Sequence, residues 1–305
     1  MKSFIYVLLL GLCALGAARS AQAEEVYFQQ DGLTRRFQLL IPDTKPEDTA
    51  ARRPLIIVLH GLFQSDRGMP KVTRHQWERI AVDQGAVLVY PNAVGKIWDI
   101  GQGEASALLR PKRDDLAYLD RVIAVTSERT PIDRDRVFLA GFSMGGQLAY
   151  AYACTRPGRI RAVAALSMNL PKVLEDDCAA TRPFPIFLGI GDEDPVMPYE
   201  GGRIPAGPGF SMAIKGFEET SDFFGQRAGC GADYQESVRD VIDDGTSLVF
   251  RQRQGCALPV WSLRITGMGH YWPGGGPDMS PLLIGRPTEE IDGANIVWRF
   301  FSQFE

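Results

Sequence analysis

Short apolar runs recur along the chain at residues 54–59 (PLIIVL), 86–90, 137–140, 162–166, 185–190 and 260–265. A strand covered on both faces reads as an unbroken apolar run rather than as an alternation. Each run is therefore predicted to be a buried strand. Residues 36–41 add an earlier one, closed by Pro42 and a polar loop to Arg53. Between these runs the period changes. In 114–128 Leu116, Leu119, Ile123 and Val125 share one helical face, and in 289–304 Ile291, Ile296, Trp298 and Phe301 do the same. Strands alternating with helices predict an α/β fold, a mostly parallel sheet with helices on both faces. In such sheets chemistry gathers at the carboxyl ends of the strands. No internal repeat or low-complexity tract interrupts the pattern.

The N-terminus departs from it. Residues 4–18 are apolar, preceded by Lys2 and followed by Ala21-Gln-Ala23, a small-x-small cleavage pattern. Residues 1–23 are expected to be a signal peptide, because some 15 apolar residues fall short of the roughly 20 that span a bilayer. Residues 24–305 are then expected to form a single catalytic domain, secreted or periplasmic, without stable membrane insertion. At 45% hydrophobic and 23% charged residues, the composition is that of a globular protein. A formal net charge of −4 and no basic run argue against nucleic acid as a partner. Oligomeric state is not legible. Four cysteines follow the leader, Cys154, Cys178, Cys230 and Cys256. An even number in an exported chain permits two disulfides. Cys230 with Cys256 is the favoured pair, since both sit in Gly-Cys turns bounding a polar excursion. Cys154 with Cys178 is the remainder, although Cys154 on an apolar helix face reads almost as well as a buried thiol. Scattered histidines and the lack of metal-ligand spacing argue against a zinc hydrolase.

The chemistry begins at Gly141-Phe-Ser-Met-Gly-Gly146, after a strand and before a helical stretch. A G-x-S-x-G turn in that context is a nucleophile elbow, which exposes the serine Oγ at a strand end with a helix N-terminus behind it. Ser143 needs a base, an orienting carboxylate and oxyanion donors. His270 stands in a glycine-rich loop after the last predicted strand and is the expected base. The acid lies in Asp192-Glu-Asp194, with Asp194 preferred and Asp192 second. Backbone N–H groups of Met144 and Leu62 are the expected oxyanion donors. His60 is expected to brace its loop by hydrogen bonding, and His75 to take no part in catalysis. Trp98 and Trp272 are candidate walls for a substrate, or else rings packed on loop backbone. The stretch 199–211, rich in glycine and proline, is expected to be a flexible rim or lid.

Taken together, H-G-L-F-Q-S, I-W-D-I-G, G-F-S-M-G-G, G-D-E-D-P-V-M-P-Y and G-M-G-H-Y-W-P-G-G resemble the secreted esterase family of polyhydroxybutyrate depolymerases, feruloyl esterases and acetylxylan esterases. The likeness runs from about Arg36 to Phe301 and covers nearly all of the chain after the leader. It implies an α/β-hydrolase fold, no cofactor and a Ser-Asp-His triad at Ser143, Asp194 and His270. Met268, Tyr271 and Met144 depart from the usual family motifs, as does the Trp98-Asp-Ile-Gly101 loop. These changes bear on the substrate. The leading expectation is hydrolysis of soluble hydroxyalkanoate oligomers or similar esters. A feruloyl or acetylxylan esterase acting on plant cell-wall polysaccharide is the alternative. A serine peptidase and a catalytically silent binding protein rank below both.

Overall fold

A computed structural model describes residues 23–43, 52–101, 111–207, 210–276 and 279–304. The expected signal peptide lies outside the described residues, apart from Ala23 at the start of the first strand.

Ten strands form one sheet: β1 (Ala23–Gln30), β2 (Leu33–Leu40), β3 (Arg53–Leu59), β4 (Val87–Pro91), β5 (Ile132–Phe142), β6 (Ala162–Leu166), β7 (Ile186–Gly191), β10 (Tyr234–Arg239), β11 (Ser247–Arg253) and β12 (Val260–Thr266). Their spatial order is β1-β2-β4-β3-β5-β6-β7-β12-β11-β10. The six central strands, from β4 to β12, run parallel. Antiparallel strands extend both edges. β8 (Gly202–Gly207) and β9 (Phe210–Ile214) make a separate hairpin, where the sequence suggested an irregular lid.

The apolar runs are buried on both faces because each strand feeds two cores in alternation. Leu55, Ile57 and Leu59 of β3 enter one core with Leu139, Val163 and Leu188. Ile56 and Val58 enter the other with Phe138, Ala164 and Phe187. Side chains two apart share a sheet face. The first core is covered by the helices Asp115–Arg129 and Met144–Thr155, through Leu119, Val122, Leu148 and Tyr150. Gln76–Gln84 and Gly293–Phe301 cover the second with Trp77, Ile80, Val297 and Phe301. The helix predicted over 114–128 is capped by Asp114, whose side chain accepts from the Ala117 N–H.

Both pairs of cysteines are bonded, Cys154 to Cys178 and Cys230 to Cys256. The first ties the end of the helix Met144–Thr155 to the helix Glu175–Ala180. The second closes the excursion that contains β10 and β11. Loops of this length correspond to about 3 kcal/mol each on the chain-entropy estimate. Among the described residues no helix is long and apolar enough to cross a membrane.

Candidate active site

The carboxyl ends of three strands in the parallel part of the sheet supply the site. Ser143 follows β5, Asp194 follows β7, and His270 follows β12. The serine begins the helix Met144–Thr155 with φ 53° and ψ −122°, a conformation that costs a non-glycine residue on the order of 1–3 kcal/mol. The two elbow glycines make that turn possible. A Cβ on Gly141 would lie 2.2 Å from the Gly145 carbonyl oxygen, and one on Gly145 would lie 2.4 Å from that of Leu59. A hydrogen bond from the Ser143 N–H to the Leu166 carbonyl, 2.8 Å, fixes the elbow against β6.

The Ser143 Oγ is 2.9 Å from His270 Nε2, and His270 Nδ1 is 2.7 Å from Asp194 Oδ2. An ionised carboxylate only accepts, so Nδ1 carries the proton and Nε2 is left to accept from the serine hydroxyl. The other oxygen of Asp194 accepts from the Val196 and Met197 N–H groups at 2.8 and 2.7 Å. Asp192 instead accepts from Gly267 N–H at 2.8 Å and so braces the turn that leads to the histidine loop. Of the neighbouring acids, Asp194 is the one that reaches His270. The histidine loop is pinned from two sides: the His270 N–H donates to the Ile284 carbonyl, and Ser167 Oγ donates to that of Tyr271.

The loop His60-Gly61-Leu62 packs against the nucleophile, since a Cβ on Gly61 would lie 3.3 Å from Ser143 Cβ. Met144 opens the nucleophile helix, where the first N–H groups have no intrahelical acceptor. Among the described residues the Leu62 N–H donates no hydrogen bond. Both groups thus lie on segments that adjoin Ser143. His60 is buried, its Nε2 accepting from the Ala93 N–H at 3.1 Å and its Nδ1 donating to the Gly61 carbonyl at 2.7 Å. Burial lowers its pKa to about 4, so the ring is neutral and acts as a brace. His75 is exposed on the N-terminal side of the helix Gln76–Gln84, beside Glu78.

The tryptophans are placed otherwise than as substrate walls. Trp98 and Trp272 are 2% and 1% exposed. Trp98 Nε1 donates to the His60 carbonyl at 2.7 Å, and Trp272 Nε1 to Gln76 Oε1 at 2.9 Å. Their rings pack on loop backbone and on other aromatics, leaving no free face for a ligand. Exposed apolar side chains stand on the two loops flanking Ser143 and His270 instead. Phe63, 67% exposed at φ 62°, follows the Gly61 loop, and Leu282 and Leu283 sit in the short helix Pro281–Ile284 that receives the His270 N–H. Sequence inspection missed these residues: Phe63 sits inside H-G-L-F-Q-S, while Leu282 and Leu283 lie outside every motif.

A nucleophile on a strand-to-helix turn, an imidazole within hydrogen-bond reach and a buried carboxylate form the arrangement that acyl transfer requires. A family model described as phospholipase/carboxylesterase matches residues 113–205, from the helix before β5 to β8. NocK of Nocardia uniformis subsp. tsuyamanensis, a protein named as an esterase, is 29% identical over 282 residues, covering 87% of this chain and 78% of its own. The chain has the α/β-hydrolase fold and is a serine hydrolase acting on ester bonds. A protein named as feruloyl esterase C of Aspergillus terreus is 31% identical over 218 residues, 71% of this chain. The chain spans 64% of that relative's length. In three dimensions the esterase chain is similar to an acetyl xylan esterase from Aspergillus awamori, with a TM-score of 0.55 at 12% identity over 89% of this chain and 94% of that one.

Proposed function

We propose that this esterase is exported and hydrolyses acyl esters of plant cell-wall polysaccharide, of the feruloyl or acetyl type, through Ser143, His270 and Asp194. The hydrogen-bonded relay from Ser143 Oγ through His270 to Asp194 carries the chemical part of this reading. Ser143 Oγ attacks the ester carbonyl as His270 Nε2 takes its proton, and the Met144 and Leu62 N–H groups receive the oxyanion. His270 then returns the proton to the leaving alkoxide. Water, activated by the same imidazole, releases the acid and regenerates the serine. Asp194 holds the ring in the productive tautomer throughout and offsets the charge of the imidazolium.

The substrate class rests on the relatives. Those described above with a substrate in their names are named for feruloyl and acetylxylan esters. This reading therefore takes the place of the hydroxyalkanoate oligomer suggested by the motifs. Export is supported by the two disulfides, which persist in oxidising compartments. A competition assay tests the proposal. The protein meets equal amounts of a feruloyl sugar ester, an acetylated xylo-oligosaccharide and a hydroxybutyrate oligomer, and products are identified by mass spectrometry. Ferulate or acetate released in preference supports it, and preferential hydroxybutyrate release refutes the substrate class. Turnover that survives Ser143→Ala refutes the mechanism.

A further inference from the structure

At the opposite end of the sheet from Ser143, a groove of about 580 Å³ opens where β5, β6 and β7 begin. Volumes of this size are typical of small-molecule sites. Its lining is unusual for a chain of net charge −4: five arginines, Arg134, Arg136, Arg156, Arg161 and Arg182, against Asp133 and Asp135. Two of the five are committed. Arg136 pairs with Asp133 at 2.8 Å and donates to the Arg52 carbonyl, and Arg156 pairs with Asp120 at 3.3 Å. The guanidiniums of Arg134, Arg161 and Arg182 have no carboxylate within 4.0 Å and donate no hydrogen bond among the described residues. The remaining wall is apolar, with Ile160, Phe184, Leu258 and Phe304 lining it. Arg161 lies 5.2 Å over the Phe304 ring, so one guanidinium already sits on an aromatic surface.

From this lining we infer that the groove is a second binding site, for an organic carboxylate with a flat apolar body. A guanidinium offers a planar fork of donors that matches a carboxylate, and it is weakly enough hydrated to do so beside rings. The three unpaired arginines hold the head group while Phe184, Leu258 and Phe304 cover the body. Asp133 does not oppose this, because Arg136 neutralises it and holds its carboxyl below the usual range. The site is independent of ester hydrolysis, sharing no residue with the Ser143 relay.

Cinnamate is the probe, titrated into the ¹⁵N-labelled full chain, with cinnamyl alcohol and inorganic phosphate titrated in parallel. Saturable shifts at the amides of Gly158, Arg161 and Phe184 are expected with cinnamate. Affinity should fall at least about tenfold with cinnamyl alcohol, with phosphate, and in an Arg161→Gln/Arg182→Gln variant that keeps full ester turnover. Shifts confined to residues around Ser143 and His270, or no shifts, overturn the proposal. Phosphate binding as tightly as cinnamate overturns the part played by the apolar wall, and cinnamyl alcohol binding as tightly overturns the part played by the arginines. Should the double variant not fold, Arg134→Gln on the exposed rim repeats the affinity comparison.

Discussion

Trp98 donates its indole N–H to the carbonyl of His60 at 2.7 Å, directly behind the loop that carries the Leu62 amide. Among the described residues no other group donates to this carbonyl, and the indole also packs on the His60 ring with centroids 4.6 Å apart. Trp98 therefore braces the loop proposed to supply an oxyanion donor. Trp98→Phe removes the donor and leaves a buried carbonyl unpaired, a loss of about 1–3 kcal/mol. Because the loop binds charge that develops only in the transition state, kcat should fall by about tenfold with KM within about twofold. Steady-state kinetics on a soluble aryl acetate check this, and a rise in KM alone would place Trp98 in substrate binding after all.

His60 makes stability depend on acid. Its pKa is lowered to about 4 by burial, against 6.5 when unfolded. Between these values the unfolded chain binds a proton that the folded chain does not. Stability is thus fully present above about 6.5 and falls as the pH drops toward 4, by about 3 kcal/mol from this residue. Denaturant melts at pH 7 and pH 4.5 should show the loss, and His60→Gln should shrink the difference between them.

Behind Trp98 lies a buried charge cluster. Asp115 pairs with Arg35 at 2.5 Å and with Arg113 at 3.5 Å, and its second oxygen accepts from the Asp99 N–H at 2.7 Å. Neither Arg35 nor Asp115 reaches solvent. Asp115→Asn leaves two guanidiniums without their counter-charge, and should cost about 3–5 kcal/mol. Thermal unfolding should register this as a fall in Tm of about 10 °C. A change within 2 °C would show that the cluster is not held together by its charge.

The acids after β7 should separate cleanly. Asp194→Asn disturbs the tautomer of His270, and kcat should fall about 10⁴-fold. Asp192→Asn loosens only the Gly267 turn, and kcat should stay within about threefold. Comparable losses in both variants would mean that the turn, rather than the carboxylate on the imidazole, governs the site.

Phe63 is the prediction for selectivity. An aromatic ring held exposed at positive φ beside the nucleophile offers a flat surface to an aryl acyl group. Phe63→Ala should raise KM for a feruloyl ester by about fivefold while an acetyl ester changes less than twofold. Equal effects on the two would remove the ring from acyl recognition.

The central strands and the relay were legible because both obey local rules. Residues 54–59 read as a doubly covered strand from their unbroken apolar run, and G-F-S-M-G-G reads as a sharp turn from the strand before it and the helix after it. Spacing could not separate Asp194 from Asp192; the preference for Asp194 rested on its place before Pro195, and the two carboxylates differ in which loop each one faces. β10 escaped notice because all six of its residues are exposed, so an edge strand paired with β11 carries no alternation. The tryptophans misled for a physical reason. Indoles in glycine-rich loops fill space around backbone as readily as around ligand, and only their spent N–H groups reveal which.

The members of the relay are far apart in the chain, with a sequence separation of 127 from Ser143 to His270, yet they stand on β5, β7 and β12 of one parallel run. No local segment holds a working fragment of the site. Parallel pairing of such distant strands is slow, because chain closure comes before the contacts that reward it. During refolding, helices and hairpins can form without any turnover, and ester hydrolysis requires β5, β7 and β12 all to be in place. Recovered activity thus reports the completed long-range pairing of the sheet rather than its local pieces.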